Sequence, residues 1–309
     1  MKAKSPFQKQ GAKVKSNGIE IYYETFGNPE DSPVLLVMGL DCQCIIWSMD
    51  FIEPLVAAGH YVIRFDNRDI GESTWINDWH KSRLYSLEDM AKDAVGLLEA
   101  IDIKKAHIIG ASMGGMIAQR IALSHSEKVL SLTSIMSTGY SLNPNAVKEI
   151  ASKIAFRMMP HLIKRIRIKN KILDGKVTVN SYVTTYKKLL AGTKYAFNEV
   201  YFRDLFDYAI NERKGQNPKA RYQQLCAIVT SGSRLKELPS IKVPTLIMHG
   251  TADKLVQPIH AEIYAPLIPQ AKMVWLDGVG HEIPKGVLPQ VHAEILAVFK
   301  KASLELSLS

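Results

Sequence analysis

Ser112 stands in Gly110-Ala111-Ser112-Met113-Gly114, with Gly115 directly after it. The run fits G-x-S-x-G, a sharp strand-to-helix turn that lifts a serine hydroxyl clear of a sheet and sets it at the positive end of the following helix. Glycines at both flanks remove side chains that would collide in so tight a turn. A Gly-rich loop with an incidental serine is the alternative, but it leaves the surroundings unexplained. The apolar run Ala106–Ile109 predicts a strand directly before the motif, and the residues from Met113 to about Ser124 predict a helix directly after it.

A serine hydroxyl is a poor nucleophile until a base takes its proton. Of nine histidines, His281 has the most suitable setting. It closes Asp277-Gly-Val-Gly-His281, a compact loop after the strand expected at Lys272–Leu276. His107 lies inside the strand before the nucleophile and reads as a core histidine, while His249 reads as a support for the loop that follows it. His60, His80, His125, His161, His260 and His292 have no comparable setting, and surface exposure or local packing is expected for them. A triad built on this turn runs Ser, then Asp or Glu, then His along the chain. Asp253, in His249-Gly-Thr-Ala-Asp253, follows the strand expected at Thr245–His249 and is the candidate acid. Its work is to hold the imidazole tautomer and stabilise the imidazolium. Asp277 shares the loop of His281 and reads as a turn former. A tetrahedral oxyanion also needs preorganised N–H donors. The backbone amide of Met113 is one candidate. The amide of Leu40, in the loop Gly39-Leu40-Asp41 after the strand expected at Val34–Met38, is the other.

The elements that must position these residues follow one pattern. Lys13 to Tyr23 reads as a hairpin around Asn17-Gly18, a dipeptide suited to a turn with positive φ. The run at Val34–Met38 is continuously apolar, as in a strand buried on both faces, and Tyr61–Phe65 reads as a second such strand. A helix is expected after Ser86, which can cap it with Asp89 completing a capping box. Its apolar stripe is Ala91, Ala94, Val95, Leu98 and Ile101. Val129–Ile135 reads as a further strand, and Val287–Lys301 as a closing helix. Alternation of this kind implies an α/β fold, a mostly parallel sheet with helices on both faces, with chemistry at the C-terminal strand ends. Residues 138–236 interrupt the alternation. They show helical periodicity, as at Ala151–Ile166, and no clear buried strand. They are expected to form a helical cap inserted in a core made of 1–137 and 237–309. Apolar candidates to line a site beneath it are Ile154, Phe156, Met158, Met159, Tyr201, Phe202 and Phe206, although more than half of these are expected only to pack the cap on itself.

The chain has 309 residues, 47% hydrophobic and 22% charged, ordinary values for a globular protein. No apolar run approaches the roughly 20 residues of a membrane span. No apolar segment follows the basic N-terminus, so a cytoplasmic protein is expected. Three cysteines with no framework suit a reducing compartment, and no second ligand pair accompanies them for zinc. The net charge of +9 is uneven. Residues 138–234 carry 18 Lys or Arg against 6 Asp or Glu, while the remainder carries 21 against 24. Such a segment could attract anionic substrates, lipid head groups or nucleic acid, or present solvated helix faces. No nucleic-acid motif accompanies the charge. Nothing in the sequence indicates an oligomeric state.

With these residues in place, the chain resembles the α/β-hydrolase superfamily over nearly its full length. Val37-Met-Gly-Leu40, Phe65-Asp-Asn-Arg-Asp-Ile-Gly-Glu-Ser73 and Gly110-Ala-Ser-Met-Gly-Gly115 are similar to the branch that includes aclacinomycin methylesterase and many bacterial esterases. The resemblance implies hydrolysis of a small-molecule carboxylic ester through an acyl-enzyme, with no metal or organic cofactor. It also implies a structural role for Arg68 and Asp69, an arginine fork tying loops together. Two departures are visible. Met38 stands where many relatives have His before the oxyanion-loop glycine, and Ala111 where many have His before the nucleophile. The same triad also serves prolyl aminopeptidases, acyltransferases and C–C bond hydrolases, and the fold also occurs as a non-enzymatic ligand-binding protein. The cap's small number of acids argues against binding of a free amino terminus.

Overall fold

A computed structural model describes residues 11–78, 80, 84–140 and 179–307. The expected helical periodicity at Ala151–Ile166, the residues Ile154, Phe156, Met158 and Met159, and His161 lie outside them.

Eight strands form one sheet: β1 (Ala12–Ser16), β2 (Ile19–Phe26), β3 (Ser32–Val37), β4 (His60–Phe65), β5 (Ala106–Ala111), β6 (Val129–Ile135), β7 (Thr245–Gly250) and β8 (Lys272–Leu276), in the spatial order β1-β2-β4-β3-β5-β6-β7-β8. β1 and β2 form the expected hairpin, with Asn17 at φ 47° and Gly18 at φ 81° supplying the turn. β2 runs antiparallel to β4, and all later pairings are parallel. The chain leaves β3 for β4 on one side and returns to β5 on the other. This reversal opens a crevice at the C-terminal ends of β3 and β5, where doubly wound sheets place their ligands.

The central strands carry apolar side chains toward both faces because both faces are covered. Leu35, Ile63, Ile108 and Ile247 pack with α2 (Leu87–Ala100) and α3 (Met113–Ser124) on one face. Their neighbours Leu36, Val62, Ile109 and Met248 pack on the other with α1 (Met49–Ala57) and the C-terminal helix, Leu288–Ser307. Ser86 caps α2 through the expected capping box with Asp89. The C-terminal helix runs six residues past the expected end at Lys301. Of those residues Ala302 is still buried, while Leu304 and Leu306 are exposed.

Between β6 and β7 the described residues form three further helices, α4 (Val179–Leu190), α5 (Glu199–Asn211) and α6 (Ala220–Thr230), followed after β7 by the short α7 (Ile259–Tyr264). The C-terminal helix is therefore α8. No helix among the described residues is long and apolar enough to cross a membrane.

Candidate active site

The strand before the motif runs two residues further than its apolar core suggests. Gly110 and Ala111 still pair with Ser134 and Ile135 of β6, so the whole reversal falls on Ser112. Ser112 has φ 56° and ψ −120°, a conformation that L-residues with a side chain rarely adopt. Strain of this kind costs about 1–3 kcal/mol and persists only where the surroundings impose it. They do so here. The Ser112 N–H donates to Ile135 O, and its carbonyl accepts from the Gly115 amide and from Ser137 Oγ. The flanking glycines are required by contact. A Cβ on Gly110 would lie 2.1 Å from Gly114 O, and one on Gly114 would lie 2.0 Å from Val37 O.

His281 reaches this hydroxyl from the loop after β8. Its Nε2 lies 2.9 Å from Ser112 Oγ, and its Nδ1 lies 2.6 Å from Asp253 Oδ2. The carboxylate can only accept, so Nδ1 carries the proton and the Nε2 lone pair faces the serine. Asp253, in the loop after β7, is buried. Its Oδ1 accepts from the amides of Leu255 and Val256 at 2.8 and 2.9 Å, which leaves Oδ2 for the histidine. His249 supports this loop as the sequence suggests, donating from Nε2 to Val256 O and lying 3.6 Å from Asp253 Oδ2. Burial holds its pKa below the ordinary value, with Asp253 working in the other direction.

The loop of His281 is braced by the end of α4. The His281 N–H donates to Leu190 O at 2.7 Å, and the Thr193 amide donates to Gly278 O. Asp277 faces outward, paired with Lys194, and takes no part in the line from Asp253 through His281 to Ser112. His107 is a core histidine: it is buried, bonded to Ser131 and stacked on Phe299, with its pKa lowered to about 3 by burial and the neighbouring His60. Arg68 forms the expected fork, binding both carboxylate oxygens of Asp93 in α2.

Gly39 abuts Ser112. A Cβ built on it would lie 3.1 Å from Ser112 Cβ. Met113 follows at the first position of α3. Among the described residues the amides of Leu40 and Met113 have no protein acceptor. Ser112, His281, Leu40 and Met113 all open onto one cavity of about 1010 Å³ with largely apolar walls. Tyr201 and Phe202 line it, as the sequence suggests, whereas Phe206 packs with Val183 and Tyr186 behind it. Two residues lining this cavity, His260 and Glu282, and one behind it, Asp41, carry no sequence signal. His260 bonds to Thr138 Oγ1 and stacks on Tyr140. Asp41, next to Leu40 in the same loop, is buried, and Glu282 is half-buried beside His281, with burial pushing its carboxyl up to about 7. Only adjacence to His281 could have drawn attention to Glu282. No group of side chains among the described residues is arranged to hold a metal ion.

Residues 33–285 match the family model described as the α/β hydrolase fold. The chain belongs to the α/β-hydrolase fold family. Within it, this hydrolase is similar to the rhodomycin D methylesterases of Streptomyces peucetius and of a second Streptomyces strain. Each is 27% identical, over 94% of this chain and 98% of the relative. Among solved structures it is similar to a thermophilic esterase from Thermogutta terrifontis, with a TM-score of 0.72 at 21% identity, covering 95% of this chain and 99% of that one. That likeness establishes the fold of this α/β-hydrolase.

Proposed function

We propose that this α/β-hydrolase cleaves carboxylic esters through an acyl-enzyme on Ser112. The observation that carries the reading is the unbroken line from Ser112 Oγ to His281 Nε2 at 2.9 Å and from His281 Nδ1 to Asp253 Oδ2 at 2.6 Å. His281 takes the serine proton as Oγ attacks the ester carbonyl, and Asp253 stabilises the imidazolium that results. The oxyanion accepts from the amides of Met113 and Leu40. Collapse of the intermediate expels the alcohol, protonated by His281. A water deprotonated by the same ring then attacks the acyl-enzyme, and the acid leaves with Ser112 regenerated.

The names of the two methylesterase relatives favour an ester as the bond cleaved. The mostly apolar cavity of about 1010 Å³ suits an ester with a sizeable apolar body. Residues 138–236 are read as a helical cap, because Tyr140, Tyr186, Tyr201, Phe202 and Tyr222 from that stretch line the cavity above Ser112. The test is hydrolysis of p-nitrophenyl butyrate together with labelling by a fluorophosphonate probe. Ser112→Ala is expected to lose about a thousandfold or more in kcat and all labelling. A Ser112→Ala variant that turns over at the wild-type rate overturns the assignment.

A further inference from the structure

The loop carrying Leu40 is not held by the sheet alone. Its peptide units are pinned on both sides of the Leu40 amide. The carbonyl of Met38 accepts from Asn67 Nδ2 at 2.9 Å. The amide of Asp41 donates to Gln224 Oε1 at 2.8 Å. Between these two fixed units lies the Gly39–Leu40 peptide, whose N–H is free among the described residues. Gln224 belongs to α6 and is fully buried, and its Nε2 donates to Arg68 O, so both ends of the amide are engaged. Asp41 itself has φ 61°, a left-handed conformation that a residue other than glycine keeps only under constraint. The constraint comes from the same stretch of chain. Arg221 Nε and Nη2 both lie 2.7 Å from Asp41 Oδ2, and Gln216 donates to Asp41 Oδ1 and to its carbonyl oxygen.

We propose that α6 is part of the catalytic apparatus: Gln224 and Arg221, acting through Asp41, are positioning residues that aim the Leu40 amide at the oxyanion. The inference rests on the acyl-enzyme reading and on Leu40 as a donor within it. The alternative is that these contacts only fasten the stretch between β6 and β7 to the core. A fastening role and a positioning role differ in what they change. Fastening affects stability, and substrate binding if the cavity wall loosens. A misaimed oxyanion donor costs the transition state more than the ground state, so it lowers kcat with little change in KM.

Gln224→Met removes the acceptor while keeping the volume, and Arg221→Met does the same for the guanidinium. With p-nitrophenyl butyrate, Gln224→Met is expected to lower kcat about 10- to 100-fold, with KM within twofold. Inhibition by butylboronic acid, whose serine adduct carries a tetrahedral oxygen in the donor site, is expected to weaken by a similar factor. Arg221→Lys, which keeps a cation against Asp41, should recover most of what Arg221→Met loses. Lys214→Ala serves as the control, since its Nζ fastens the same stretch to Ser73 O away from the loop. It should leave kcat and boronate affinity unchanged. Wild-type kcat and boronate affinity in Gln224→Met overturn the inference, as does a loss confined to KM in Arg221→Met. If wild-type Ser112 takes no fluorophosphonate label, the acyl-enzyme reading fails first. If it labels and Gln224→Met turns over normally, only the positioning role fails.

Discussion

Asp253→Asn keeps the shape of the proposed triad acid and removes its charge, so it isolates what that charge does. With both oxygens of Asp253 engaged, an amide must either present N–H to the Leu255 and Val256 amides or turn it toward His281. The first choice keeps an acceptor for Nδ1–H but sets N–H against N–H, while the second avoids that clash and disfavours the tautomer with its proton on Nδ1. A loss of about 10⁴ in kcat is expected, with thermal stability little changed. A rate within tenfold of wild type would show that another group orients the ring. Glu282 makes the opposite kind of case, a carboxyl with an environment that penalises its charge. Burial raises its pKa from 4.5 to about 7, so the folded state favours the protonated acid. The associated stability is complete below pH 4.5 and is lost as pH rises through about 7. Glu282→Gln should therefore match wild type near pH 4.5 and exceed it at pH 8, by about 1–2 kcal/mol once partial exposure is allowed for. Unfolding midpoints at the two pH values measure this, and equal gains at both would refute the burial argument. Ser112, His281 and Asp253 are legible in the sequence because glycines and strand ends must surround them. Asp41 and Glu282 are not, because their surroundings come from distant chain. The partner of the Asp41 amide is 183 residues away.

At the scale of elements, the loop bearing His281 depends on how closely α4 can approach it. A Cβ on Gly280 would lie 2.0 Å from Leu190 O and 2.5 Å from Gly192 N, both backbone atoms with nowhere to go. Gly280→Ala should push the loop away from α4, breaking the His281 amide bond to Leu190 O and withdrawing Nε2 from Ser112. A fall in kcat of at least about tenfold is expected, since misplacement by about 1 Å can cost a hundredfold. Far-ultraviolet circular dichroism should be unchanged, because no strand or long helix is touched. Unaltered kcat would mean that the loop relaxes without carrying the ring along. Most elements can be read from the sequence because burial on both faces leaves continuous apolar runs, as at Val34–Val37 of β3 and Leu246–Met248 of β7. Their ends are less legible. β3 stops at Val37 rather than Met38, because the Met38 carbonyl is taken by the side chain of Asn67 instead of a neighbouring strand. α1 is hidden by Pro54 inside it, a residue that ordinarily signals a break.

At the scale of the whole molecule, the question is what holds the stretch between β6 and β7 against the sheet. The sequence marks this stretch by its charge and its lack of strands, and the basic excess suggests a solvated surface. Arg213, just past α5, does the reverse. Its side chain is 4% exposed and lies between Glu24 of β2 and Asp66 after β4. Glu24 has a second partner in Arg64, so its charge stays compensated without Arg213. Among the described residues Asp66 has only amide donors besides, those of Cys44 and Glu72. Arg213→Met should therefore strand one buried carboxylate and destabilise the protein by about 3–5 kcal/mol, read as a lower melting temperature. The guanidinium also lies 4.8 Å from the centre of the Tyr22 ring, so lost packing could cause the same fall. The double variant Arg213→Met with Asp66→Asn separates the two causes. If the cost is the stranded charge, removing that charge restores part of the melting temperature even though a second residue has been changed. If the double variant melts no higher than Arg213→Met alone, the stretch is held by contact of the guanidinium with Tyr22 rather than by compensation of buried charge.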